Sequence, residues 1–103
     1  MSIKNYIDRI ERAKKESNGT PLAQQELVKL FTKHEQEQFL TPDEMAHLLS
    51  AIAGRKISTD YVKLLRRKER LPEAKKVNER AYIYKLRGAF AVTFRPNKKY
   101  PIK

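Results

Sequence analysis

Apolar residues recur at helical spacing through the first half of the chain and change to a shorter period near its end. Ile3, Tyr6, Ile7, Ile10 and Ala13 share one stripe, which predicts an amphipathic helix from Ile3 to about Ser17, closed by Asn18-Gly19. Thr20-Pro21 reads as a cap followed by proline at the first helical position, opening a second helix that runs to about Glu37. Leu22, Leu27, Leu30, Phe31 and His34 supply its apolar side. Thr41-Pro42-Asp43-Glu44 is the clearest start signal. Thr41 and Glu44 form a capping box, proline fixes φ, and two acids face the positive helix end. Met45, Leu48, Leu49 and Ile52 then point inward, and Gly54 ends this third helix. Ser58 caps a fourth helix, with Ile57 and Val62 placed as a hydrophobic staple. Pro72 disfavours helix at Leu71, so closure is expected near Arg70.

Beyond Pro72 the period shortens. Arg80 to Leu86 and Ala89 to Arg95 are short runs rich in Tyr, Phe, Ile and Val, and they predict a β-hairpin turning at Gly88, with glycine at a left-handed position. In that hairpin Ala81, Ile83, Val92 and Phe94 share one face, and Tyr82 and Tyr84 point the other way. Lys75 to Val77 adds a third strand through an Asn78-Glu79 turn. The expected fold is therefore α+β and mostly helical, with four helices and a C-terminal hairpin. Residues 1–95 read as one domain: 1–40 as its helical N-terminal part, 41–95 as two helices plus hairpin. Residues 96–103 read as an extended basic tail.

Charge changes this picture from a fold to a function. The net charge of the 103 residues is +11. It is not spread evenly. Residues 1–54 hold seven Lys/Arg against eight Asp/Glu, and residues 55–103 hold sixteen against four. So one-sided a field attracts polyanions and speeds their encounter. There is no cysteine, which excludes disulfides, thiolate zinc sites and cysteine nucleophiles. The opening residues have no long apolar core and no segment has membrane-spanning length, which points to a cytoplasmic, nucleoid-associated protein without a membrane partner.

The fourth helix concentrates the charge. Thr59, Lys63, Arg66, Arg67 and Arg70 are three or four residues apart and share one face, while Val62 and Leu65 hold the opposite face to the core. A helix with one apolar and one basic side can lie in the major groove, where Arg and Lys pair with guanine edges or phosphates. Such runs are also common as plain solvated surface. The surrounding basic half favours nucleic acid, with Arg55, Lys56, Arg87, Lys98 and Lys99 as further backbone contacts.

The segment Thr41 to Tyr84 resembles the winged helix-turn-helix of the MerR and phage-excisionase group. The resemblance rests on Thr41-Pro42-Asp43-Glu44-Met45-Ala46-His47-Leu48-Leu49 and on Ile57-Ser58-Thr59-Asp60-Tyr61-Val62-Lys63-Leu64-Leu65-Arg66-Arg67. It continues through Leu71-Pro72-Glu73-Ala74-Lys75-Lys76-Val77 into Arg80-Ala81-Tyr82-Ile83. It implies a recognition helix contacting DNA through Thr59, Lys63, Arg66 and Arg67, and a wing contacting it through Lys75, Lys76 and Arg80. The link between the two helices is longer than that family's usual turn, and its common recognition-helix tryptophan is absent. No helix for dimerisation or effector binding follows the wing. The expected function is that of a sequence-specific double-stranded DNA-binding protein, a transcriptional regulator, that needs no cofactor.

Other classes have their own signals. Tyr82 and Tyr84, if exposed beside the cations, suit an RNA or single-strand binder using the hairpin face; packed inward, they serve the core. The near-neutral N-terminal helices complete the core or form a homodimer interface. An adaptor for an acidic protein partner is a third reading. Catalysis finds little support, because His34 and His47 lie on different predicted helices and Asp43-Glu44 is explained by capping. Glu35 and Glu37 read as surface charge, and no metal-ligand spacing is present.

Overall fold

The computed structural model describes residues 3–16, 24–79 and 81–92. In chain order they form α1 (Ile3–Glu16), α2 (Gln24–Lys29), α3 (Lys33–Gln36), β1 (Phe39–Leu40), α4 (Pro42–Ala53), α5 (Thr59–Arg67), β2 (Ala74–Asn78), β3 (Ala81–Lys85) and a 3-10 segment, Leu86–Ala91. The class is α+β and mostly helical, as the pattern predicts. The helix count is not four: the described residues contain five α-helices and the 3-10 segment. Thr20, Pro21, Arg80, the expected strand residues from 93 onward and the basic tail lie outside the described residues.

The expected second helix is two. Thr32 breaks it by adopting an extended conformation and accepting from the Glu35 N–H, while Glu35 reaches back to the Thr32 N–H at 2.9 Å. This reciprocal cap restarts the chain as α3. Glu35 is therefore not surface charge. It is 8% exposed, and Arg9 of α1 grips both its oxygens at 2.7 Å. The Arg9 hydrogen bonds, then the Thr32 N–H, pull its carboxyl down to about 2. Arg9 also donates to the Leu30 carbonyl and lies against the Tyr6 and Phe31 rings. One ion pair thus joins α1 to the α2–α3 corner.

The N-terminal helices complete the core. Tyr6, Ile10, Leu27 and Phe31 belong to the same buried cluster as Met45, Leu48, Leu49 and Val62. α4 is central because both ends are well specified. Thr41 and Glu44 make the expected capping box, and Gly54 ends the helix in the left-handed region at φ 74°. Its neighbour in space is Lys14, whose ammonium donates to the Ala51 carbonyl.

The sheet differs most from expectation. Its order is β1-β3-β2, all antiparallel. The hairpin is β2–β3, so the lysine-rich run expected as a third strand is the partner of Ala81–Lys85. The first residues of the expected second strand, 89–91, belong instead to 3-10 structure that runs from Leu86 to Ala91. Leu86, Ala89 and Phe90 stand at helical spacing and all are buried, with the Phe90 ring 5.6 Å from that of Phe31. An alternating strand would leave one of each neighbouring pair facing water. Gly88 is accordingly not a left-handed turn residue; Gly54 alone among the described glycines has positive φ. Gly88 serves close approach instead: a Cβ there would meet the Pro72 carbonyl oxygen at 3.1 Å. Gly88→Ala should lower stability by about 1–2 kcal/mol through this overpacking, read from urea denaturation. No helix among the described residues is long and apolar enough to cross a membrane.

Candidate nucleic-acid interface

α4 and α5 are joined by Gly54–Ser58, a link tied down from within. Ser50 on α4 donates to the Ala46 carbonyl at 2.7 Å and accepts from the Ile57 N–H at 2.8 Å. Ile57 is buried, and Ser58 caps α5 by accepting from the Tyr61 N–H. The helix start is thus placed by local contacts, all between Ala46 and Tyr61.

The core side of α5 is the expected one: Val62 and Leu65 are buried. Its free side is rotated from the expected one. Asp60, Lys63, Leu64 and Arg67 are exposed and follow the spacing of a single helical face. Thr59 and Arg66 lie at its margin, half-buried. Arg66 turns away from solvent. Its guanidinium stacks on the Tyr82 ring at 3.9 Å, near the Tyr84 hydroxyl, and its Nε is buried without a hydrogen-bond partner. It fastens α5 to the hairpin. Arg66→Met should cost about 1–2 kcal/mol in a denaturation curve, the worth of a half-buried cation–ring contact.

Arg70 also leaves the expected face, because α5 ends early. Glu69 takes a left-handed φ of 58°, its N–H donates to the Arg66 carbonyl, and the Arg70 N–H donates to the Leu65 carbonyl. This pair of bonds is a Schellman closure made without glycine. Arg70 therefore lies past the turn, exposed but off the helix axis. Glu69→Gly should raise stability by about 0.5–1 kcal/mol by removing the Cβ strain, visible as a higher Tm.

The hairpin divides its lysines between two sides. Lys76 pairs with Tyr82 and Lys75 with Ile83, and directly opposed residues share a face. Tyr82 lies under Arg66 and Tyr84 is 1% exposed, burial raising the Tyr84 phenol above its ordinary value. Both tyrosines thus face the helices, and Lys76 stands on the side of α5. Lys75 is on the outer side, its ammonium 5.7 Å from the centre of the exposed Phe39 ring. The two wing lysines therefore do not act as one patch.

Arg87 is engaged elsewhere. It binds Glu73 through two nitrogens and reaches Glu37 at 2.6 Å, while Lys85 reaches Glu37 at 2.7 Å. Lys85 holds the Glu37 carboxyl below its usual range and Arg87 does the same for Glu73. Glu37 is thus part of a four-charge clasp joining the end of α3, β3, the 3-10 segment and the turn before β2. Sequence reasoning missed this clasp, since its members are up to 50 residues apart.

Lys56, Lys63, Arg67, Lys68, Arg70 and Lys76 are exposed, and none of them enters an ion pair among the described residues. Arg55 is exposed on the same link as Lys56. Arg80, Lys98 and Lys99 lie outside the described residues. Among the described residues the exposed cations just named lie on the free side of α5, on the chain just after it, on the link before it and at Lys76. Comparison with family models, with curated proteins and with solved structures finds no match to this chain.

Proposed function

We propose that this protein binds double-stranded DNA in a sequence-specific way and acts as a transcriptional regulator, with α5 in the major groove and the β2–β3 hairpin as its wing. The observation that carries the reading is the division of α5. Val62 and Leu65 lock one side into the core, and Lys63 and Arg67 are exposed on the other, in no ion pair among the described residues. A rigid helix that offers cations to solvent along one side has the shape and charge of a groove reader. The order helix, link, helix, hairpin agrees with the winged helix-turn-helix resemblance in Thr41 to Tyr84. Lys68, Arg70 and Lys76 continue the positive surface past the end of α5 and suit phosphates.

The sheet-face alternative loses its stacking platform, because Tyr84 is buried and Tyr82 is covered by Arg66. Titration of a labelled duplex, followed by anisotropy across a salt series, tests the reading. Duplex DNA should outcompete single strands and structured RNA, and the logarithm of affinity should fall steeply with that of salt, by about 0.9 per phosphate neutralised. Preferential binding of single strands or RNA would overturn it. Lys76→Ala should weaken all duplexes alike and lower that slope by about one.

A further inference from the structure

We infer that Leu64 and Asp60 are base-discriminating residues of α5, with Leu64 reading the 5-methyl group of thymine and Asp60 the amino group of a nearby cytosine. The inference rests on the duplex reading above and names the bases which that reading leaves open. Leu64 is 36% exposed, whereas Val62 and Leu65 beside it are almost fully buried. Single exposed leucines are ordinary on protein surfaces. This one stands in the middle of the free face, with Asp60 one turn before it, Lys63 next to it and Arg67 one turn after it, all exposed. The other large exposed apolar residues among those described, Val28, Phe39 and Val77, are not on α5.

A helix lying in the groove on this face must bring Leu64 against base edges. The one apolar group that the major-groove floor presents is the thymine methyl. Asp60 cannot approach phosphate without repulsion, but its carboxylate accepts from the cytosine N4 amino group. Four residues of helix rise place Leu64 about 6 Å beyond Asp60 along the axis. That distance is close to two base steps at about 3.4 Å each. The preferred site should therefore hold a cytosine and a thymine within about two base pairs of each other.

The test uses the whole protein and its preferred duplex, with each thymine replaced in turn by deoxyuridine, which pairs identically but lacks the methyl. One position should lose about fourfold in affinity, the worth of one buried methyl group. Leu64→Ala should bind the thymine and uracil duplexes equally, and its melting curve should show it folded. Retention of the thymine preference by Leu64→Ala would overturn the assignment, as would the absence of any uracil-sensitive position in a duplex that is otherwise bound tightly and selectively. Failure of the unaltered protein to bind any duplex would overturn the underlying reading as well, so the two failures are distinct.

Discussion

Replacing Lys63 and Arg67 together with alanine is expected to remove most of the choice among DNA sequences while leaving the fold intact. Both side chains are exposed on α5, on the side away from Val62 and Leu65, and neither is in an ion pair among the described residues. Their loss therefore opens no cavity and strands no buried partner. Each base-edge contact of this kind is worth about 1–3 kcal/mol, so the pair should cost on the order of 100-fold at the preferred site. Binding to random duplex should fall far less, since other cations still meet phosphates. Arg66 offers the internal contrast. It sits one residue from Arg67 yet stacks on Tyr82 at 3.9 Å, so its removal should register first as lost stability. A competition assay on the two variants, beside their denaturation curves, separates the two roles. Equal loss on preferred and random duplex after the double substitution would remove α5 as the reading element.

The second large effect is on stability and involves no DNA. Glu35→Gln should cost about 2–3 kcal/mol at neutral pH, because a nearly buried carboxylate held by Arg9 is replaced by a neutral amide. For a domain of this size that corresponds to a fall in Tm of about 10–20 °C. The sign with pH follows from the direction of the shift. The Glu35 carboxyl titrates at about 2 when folded, against 4.5 for the free group. The folded form therefore binds its proton less readily, and the stabilisation is complete above about pH 5. It is lost as pH falls from there towards 2. Thermal unfolding between pH 7 and pH 2 should show a steep acid limb in the unaltered protein and a flatter one in Glu35→Gln. Arg9→Met should be at least as damaging at neutral pH, since it leaves the buried charge without its partner. Replacing both with apolar residues should recover much of the loss.

What the sequence made legible follows from the range of the interactions concerned. The Thr41–Glu44 box, the Gly54 stop and the Ser58 cap are local chemistry, each complete within four residues, and all three form as expected. The same logic applies to Thr32-Lys33-His34-Glu35, which carries the capping-box signature in the middle of a helical pattern. Its apolar flanks, Leu30 and Phe31, concealed the break because their spacing suits one continuous helix. The sheet was harder for a different reason. β2 reads Ala-Lys-Lys-Val-Asn, polar at most positions, so no alternation marks it as the main partner of β3. The segment around Gly88 suited a hairpin turn between two strands because short apolar runs flank it. In the fold Phe90 packs on Phe31 and Gly88 lies against the Pro72 carbonyl, neighbours that no local pattern could show. β1, only Phe39–Leu40, is too short for any period.

The candidate site divides along the same line. That α5 is basic on one side and apolar on the other was readable from spacing. Which basic residues are free was not, because that depends on tertiary partners. Arg66 has Tyr82, and Arg87 has Glu73 and Glu37. Arg70 is turned off the helix by a left-handed glutamate that composition would not select for that conformation. On the proposed reading the weight of the site therefore falls on Lys63 and Arg67 rather than on Arg66 and Arg70, with the exposed Asp60 and Leu64 beside them.

Whether α5 selects DNA sequence is decided by selection from a pool of random duplexes by the purified protein, at physiological salt with competitor RNA present. A motif should be recovered that the Lys63→Ala, Arg67→Ala variant fails to enrich. Recovery of no motif, or of the same motif by that variant, would contradict sequence selection by α5.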